Sequence, residues 1–245
     1  MLALITGATS GLGKELGILL NQKGYDLILV GRNKQQLNEN FQDLNNVTLL
    51  VGDLCSDEFL DKLCRYIQSH QIDLLINNAG IGQYGFYGQY SIEKEKTLLK
   101  TNIVALDLLM KTYIMSQNHG RVVNISSIAS KQVDPLMASY GASKSFVTML
   151  SLSVAYELKK QHSSILVQVC LPGSFSSNFD KNANVKNSLK QKSASQIAQL
   201  ILKDVFKNKT IIIPGFSNKL AYYVSHFIPI KLMSIIEYKI QIKKS

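Results

Sequence analysis

Seven short runs of mostly continuous apolar residues punctuate this chain, and between them the apolar residues recur at helical spacing. The runs are LALIT from Leu2, DLILV from Asp26, VTLLV from Val47, IDLLI from Ile72, RVVNIS from Arg121, ILVQV from Ile165 and TIIIP from Thr210. A strand with one face in water alternates polar and apolar residues. Continuous runs mean burial on both faces, as in a parallel sheet covered by helices on each side. The segments between fit that role. GLGKELGILLNQKG puts Leu12, Leu16, Leu19 and Leu20 on one face and ends at Gly24, a suitable C-terminal cap. Further helices are expected from about Asn33, from about Ser56 to His70, from about Ser91 to Gln117, from about Ser139 to Lys160, and from SASQ onward. The pattern predicts a doubly wound α/β fold of about seven parallel strands, which binds ligands at the carboxyl ends of its strands. A chain of 245 residues accommodates this as one domain, 1–245.

The first strand runs straight into TGATSGLGKELG. Gly7, Gly11 and Gly13 allow a tight turn, close approach of backbone to a pyrophosphate, and close helix–strand packing. The N-terminus of the following helix presents unpaired N–H groups to phosphate charge. A glycine trio alone is weak, but the strand–turn–helix setting is the context a dinucleotide site requires. Binders of NAD carry an acidic residue after the second strand to hold the ribose hydroxyls. Here that segment reads ILVGRN, with Gly31 at the position and Arg32 next. The guanidinium fork suits a 2′-phosphate, with Ser10 and Asn33 as further hydrogen-bond donors, so NADP(H) is the expected cofactor. Asp53, ending the third strand, can accept from an adenine amino group.

Other classes are disfavoured by composition. Three cysteines without a C-x-x-C spacing argue against a disulfide framework, and four histidines without H-x-x-x-H grouping argue against a metal centre. The apolar start is too short for a signal peptide, so a reducing, cytoplasmic setting is expected. The formal charge of +10 is spread over many segments without a dense basic stripe, so no nucleic-acid partner is expected.

Tyrosine stands four residues before lysine three times, at Tyr90/Lys94, Tyr140/Lys144 and Tyr156/Lys160. The spacing only places both side chains on one helix face. Position chooses among them. Ser127 ends a strand, and a loop containing Pro135 lets the chain return to bring Tyr140 beside it. For Tyr156 the equivalent serine is Ser143, in the same helical run and about 20 Å away along its axis. Tyr90 is read as part of the substrate-pocket wall. Lys144 as a cation would draw the Tyr140 phenol below its ordinary value near 10, and Ser127 would hold a developing oxyanion. Ser126 is the rival to Ser127, since strand neighbours face opposite ways.

TGATSGLG, NNAG, NISS and YGASK, in this order over about residues 1 to 180, resemble the short-chain dehydrogenase/reductase family. The resemblance implies a Rossmann fold and hydride transfer between a nicotinamide and a carbonyl or secondary alcohol, with a small-molecule substrate. It implies a catalytic tetrad of Asn102, Ser127, Tyr140 and Lys144, with Asn102 positioning a water in a proton relay and Lys144 also binding the nicotinamide ribose. The implied cofactor contacts are Thr6, Gly7, Ser10, Gly11, Leu12 and Gly13 in the first turn, then Arg32 and Asn33, then Asp53 and Leu54. Asn78, Ala79 and Gly80 follow from the N-N-A-G segment, and Pro172, Gly173, Phe175 and Ser177 from LPGSFSS. A lid over about 173–193 would cover the substrate.

The chain departs from the family where many members carry a V-D-G-G-type tetramer segment. It ends instead in a tail over about 216–245 that is rich in Ile, Leu, Phe and Tyr but interrupted by Pro229, Lys231 and Glu237. A dimer is expected rather than a tetramer. Two readings of the tail stand: an amphipathic element docked over the substrate pocket or a partner subunit, which is favoured, and an interfacial membrane helix. An apolar lid would suit a hydrophobic or acyl-like substrate. The alternative to an enzyme is a non-catalytic NADP(H)-binding sensor or scaffold with the same fold.

Overall fold

The computed structural model describes residues 1–176, 192–225 and 227–244. Seven strands form one parallel sheet in the order β3-β2-β1-β4-β5-β6-β7. They are β1 Leu2–Thr6, β2 Asp26–Gly31, β3 Val47–Val51, β4 Leu74–Asn77, β5 His119–Ile125, β6 Ser164–Cys170 and β7 Ile211–Ile212. Strand order reverses between β1 and β4, which opens a crevice at their carboxyl ends.

The helices are α1 Gly11–Gln22, α2 Lys34–Phe41, α3 Asp57–Ser69, α4 Ile92–Leu99, α5 Leu106–Ser116, α6 Ala138–Lys160, α7 Ala194–Val205, α8 Phe216–Ser225 and α9 Ile230–Gln241. Their starts follow capping chemistry. Asn33, Ser56, Ser91 and Ser193 each accept a backbone N–H three residues on, which satisfies a donor the helix cannot. Gly24 adopts φ +81 just past α1.

Continuous apolar strands do bury both faces. Ala3 and Ile5 of β1 join Leu12, Leu16, Leu20, Ile197 and Ile201 in a core beneath α1 and α7. Leu4, between them in sequence, faces Leu63, Ile67, Leu109 and Tyr113 beneath α3 and α5. The expected helix over 91–117 is interrupted: α4 and α5 are separated by a π-helical segment, Lys100–Ala105. Such segments recur where a side chain must be re-aimed, and this one carries Asn102.

The first turn is held by a clamp. Thr6 Oγ1 accepts the backbone N–H groups of Asn78 and Ala79 at 3.0 and 3.1 Å. The Asn78 amide donates back to Thr6 O and Gly7 O at 3.0 and 3.1 Å. Gly7 adopts φ +68. Gly13 lies so close to the Gly7 carbonyl and the Asn78 amide that a β-carbon would overlap both. Gly13→Ala is therefore expected to cost about 1–3 kcal/mol through overpacking and to displace the turn. Thermal unfolding and dinucleotide binding should both worsen; an unchanged melting temperature would contradict this account of the turn.

Candidate functional site

A cavity of about 490 Å³ opens along the carboxyl ends of β1, β2, β4 and β5. Its near end is built from the first turn and the ends of β2 and β3. Gly7, Ser10, Gly11 and Leu12 line it. Ser10 caps α1 without spending its hydroxyl on the helix. Thr6 and Gly13 stand behind the wall as supports rather than in it.

Arg32, Asn33, Asp53 and Leu54 line the same end. The Arg32 guanidinium is 64% exposed and 3.8 Å from the Asp53 carboxylate. An exposed contact of that length is worth well under about 1 kcal/mol, so the fork is held loosely. Asp53 also accepts from Cys55 N at 2.9 Å. Asn33 uses its carbonyl oxygen on Gln36 N, leaving its amide N–H groups as donors. Gly31 is crowded by the Thr9 side chain, so a larger residue here would require Thr9 to turn aside. Thr9 was not singled out by the sequence pattern, and its close approach to Gly31 joins segments distant in sequence.

The middle of the cavity is formed by the loop after β4, the end of β5 and the start of α6. Asn78, Ala79 and Gly80 line it. A β-carbon on Gly80 would stand 3.1 Å from Lys144 Nζ and 3.5 Å from Asn102 Oδ1, so glycine leaves room beside both. Lys144 is 4% exposed and donates to Ile125 O at 2.9 Å, and its ammonium lies 5.9 Å from the Tyr140 ring centroid. Burial away from water pushes its pKa down to about 8. Tyr140 and Ser127 line the cavity with it.

Ser126 and Ser127 both line the cavity, but their hydroxyls are committed differently. Ser126 Oγ donates to Lys144 O at 2.8 Å and lies 2.7 Å from Thr148 Oγ1, within the β5–α6 interface. Ser127 Oγ accepts only the weak Ala129 N–H contact at 3.2 Å and keeps its proton for the cavity.

Asn102 is fully buried and does not line the cavity. Its side chain grips the Ile81 backbone, accepting from Ile81 N and donating to Ile81 O, both at 2.9 Å. It also donates to Ser143 Oγ at 3.0 Å, and Ser143 Oγ donates to Tyr140 O at 2.7 Å. By geometry it is a positioning residue joining the β4 loop to the first turn of α6.

The other tyrosine–lysine pairs are elsewhere. Tyr156 is exposed with Lys160 Nζ 5.4 Å from its ring. Tyr90 does not line the pocket wall. Its hydroxyl donates to Gly85 O and Leu136 O at 3.0 and 3.2 Å, and burial raises its pKa to about 12.

The far end of the cavity is formed by the loop before α6, the segment after β6 and the tail. Pro172, Gly173 and Phe175 line it, and Gly173 is pressed against the Asn218 side chain of α8. Ser177 and most of the expected lid over 173–193 lie outside the described residues; at its edges Ser176 N donates to Lys192 O at 3.0 Å. The tail does cover the pocket, but with a polar face. Glu237 and Gln241 of α9 are buried and line the cavity beside Asp134 and Met137. Gln241 Nε2 donates to Asp134 Oδ1 at 2.5 Å, and Tyr84 Oη donates to Gln241 O at 2.6 Å. Gln241 Oε1 is buried without a hydrogen-bond partner. In the sequence Glu237 stood out only as a break in the apolar tail, and Gln241 was passed over. Their spacing of four, and the fact that Glu237 is the tail's only acid, were the available signals. Among the described residues no cluster of His, Cys, Asp and Glu could hold a metal ion.

The chain is similar to known proteins in sequence and fold. The family profile described as short chain dehydrogenase matches residues 1–188. The 3-ketodihydrosphingosine reductase of Bacteroides thetaiotaomicron is 32% identical over 74% of this chain and 66% of its own length. A short-chain dehydrogenase from Sphingobium yanoikuyae, solved in complex with NADPH, is 27% identical, with a TM-score of 0.82 over 93% of this chain and 96% of that one. A short chain dehydrogenase/reductase from Burkholderia phymatum, solved with NAD, shares the fold at 18% identity and a TM-score of 0.83 over 92% of each chain. With a profile match spanning most of its length and the glycine turn, Ser127, Tyr140 and Lys144 converging on one cavity, this chain belongs to the short-chain dehydrogenase/reductase family of oxidoreductases.

Proposed function

We propose that this protein is an NADP(H)-dependent oxidoreductase interconverting a ketone and its secondary alcohol. The observation that carries the reading is the meeting of Ser127, Tyr140 and buried Lys144 in the cavity that also contains the glycine turn. A protein that only sensed the dinucleotide could use Lys144 to hold the ribose, but it would have no use for the Tyr140 and Ser127 hydroxyls beside it.

The residues present fit the cofactor. The crowding around Gly7 and Gly13 leaves backbone, not side chains, facing a pyrophosphate, and the α1 N-terminus and Ser10 hydroxyl supply donors. Arg32 would take the 2′-phosphate, in exchange for its loose contact with Asp53. The solved relative with NADPH supports this choice, and the one with NAD shares only the fold. When bound, the nicotinamide supplies or accepts the hydride. Tyr140 gives its phenolic proton to the carbonyl oxygen in reduction and takes it from the alcohol in oxidation. Ser127 Oγ donates to the same oxygen as charge develops. Lys144 as a cation stabilises the phenolate and holds the ribose, and Asn102 keeps Ile81 and the first turn of α6 in place for both.

The substrate we favour is a largely hydrophobic ketone, the class to which the name of the Bacteroides relative points. Met137 offers apolar contact at the far end, and the unpartnered Gln241 Oε1 calls for a hydrogen-bond donor on the substrate. Exposed apolar rows on α5 (Leu108, Met115) and α6 (Phe146, Met149) are proposed as a homodimer surface.

Three outcomes test this reading. NADPH should bind more tightly than NADH, and Arg32→Ala should weaken NADPH by about tenfold or more with little change for NADH; equal wild-type affinities overturn the cofactor choice. Tyr140→Phe and Ser127→Ala should each lower kcat by about 10²–10⁴ with dinucleotide binding retained. Ser126→Ala should instead lower the melting temperature, and the reverse pattern would exchange the serines. An anionic dinucleotide favours protonated Lys144, whose pKa in the free protein is about 8. Affinity should therefore be full below pH 8 and weaken as pH rises through 8 and above. Fluorescence titration should find that slope in the wild type and lose it in Lys144→Met.

A further inference from the structure

Helix α9 is built inside out. Its buried positions, four residues apart, are Met233, Glu237 and Gln241, and the last two turn polar groups into the protein. Ile230, Leu232, Ile235, Ile240 and Ile242 face outward on and just beyond it. A helix on the surface of a protein in water does the opposite, turning its apolar stripe to the core. The preceding helix continues the pattern. Tyr222 anchors α8 against Val169, Leu171 and Ile213, while Phe216, Leu220, Tyr223 and Val224 point away. Phe216 is 83% exposed and Phe227, in the bend between the helices, 86%. The hydrogen bond from the Gln241 side chain to Asp134 fixes which face of α9 looks in, and Tyr84 Oη ties down the Gln241 main-chain carbonyl beside it; rotation about the helix axis would break the first.

We propose that the outer face of α8 and α9 is a docking surface for an anionic lipid bilayer. Charge chooses this occupant. From residue 216 onward the chain carries five lysines, and its single acid, Glu237, is buried on the inner face. Lys231, Lys239 and Lys243 are exposed around the apolar residues. A lysine fringe around an apolar stripe matches a surface of acyl chains beneath anionic headgroups. A second copy of the chain docking through the same patch would set lysines against lysines across a two-fold axis. Helices of 10 and 12 residues reach about 15–18 Å, enough to lie in the interface but not to cross it. Among the described residues no helix is long and apolar enough to cross a membrane. The same helix roofs the substrate cavity, so docking here puts the roof of the pocket against the bilayer.

The test is flotation of the full chain with vesicles of phosphatidylcholine and of phosphatidylcholine mixed with phosphatidylserine. Its comparison protein carries Phe216→Ser, Phe227→Ser and Ile230→Ser together, three exposed positions outside the cavity lining. The wild type should float with the mixed vesicles, float less at high salt, and float about tenfold less in the triple variant. Thermal melting and NADPH fluorescence report that the variant is folded; turnover is not needed for the result. A wild type that stays in solution with mixed vesicles, or a folded triple variant that floats equally well, overturns the proposal. So does equal flotation with phosphatidylcholine alone, or a wild-type mass twice that of the variant without vesicle binding, which would assign the face to a second copy.

Discussion

Helix α6 is bolted to β5 by buried hydrogen bonds, and the site depends on that register. Asn124 of β5 donates to Ser151 at 2.9 Å, Ser126 at the strand end donates to Lys144 O, and Lys144 Nζ returns to Ile125 O. Contacts at Lys144 and at Ser151, two turns apart on one helix, oppose its sliding or turning by a residue. Since Tyr140 lies one turn before Lys144, fixing the lysine fixes the tyrosine. The strand also presents Ser127 on the side opposite Ser126. One serine thus sets the geometry that the other uses. Lys144 carries a cost here, since burial disfavours its charge. A carbonyl oxygen, rather than a carboxylate, receives it, which leaves the ammonium's charge uncancelled beside Tyr140.

The dinucleotide end follows a different rule, set by what is missing. Gly7, Gly13 and Gly80 each lie where a β-carbon would press on Asn78, Ala79 or Lys144. Thr6 and Asn78 use their polar groups on the backbone of each other's segment, so the turn is rigid without projecting side chains into the cavity. A phosphate approaching it meets backbone N–H groups and the Ser10 hydroxyl. On the proposed reading, the choice between NADP(H) and NAD(H) would fall to Arg32, exposed and only loosely engaged by Asp53.

Strands and helix starts were legible because continuous apolar runs and capping residues are local signals. The seven runs match the seven strands closely, and the helices expected from about Asn33, Ser56, Ser91 and SASQ begin there, each capped by the residue at that start. The placement of Tyr140, rather than Tyr90 or Tyr156, in one cavity with Ser127 was also legible, from its position after a strand-end serine. What was not legible depends on contacts between distant segments. Periodicity over 91–117 cannot register the π segment, because an extra residue per turn is set by Asn102 reaching Ile81. The Ser126/Ser127 choice needed the facing helix. Tyr90, expected in the pocket wall, instead ties two loops together through its hydroxyl.

The tail shows the limit most clearly, and also what the fold makes of it. Its composition announced an amphipathic element, and the expectation was an apolar face laid over the pocket. Amphipathicity, however, names two faces without saying which one looks in. That was decided by Asp134, whose hydrogen bond from the Gln241 side-chain amide rewards a polar inner face. Once Glu237 and Gln241 are committed inward, Ile240 between them and Ile235 and Ile242 on either side are left facing out. Water does not favour that arrangement; a surrounding less polar than water does. The polarity of the pocket roof and the apolarity of the outer surface are thus one choice rather than two. A change that made the roof apolar would remove the reason for the outer face to be so.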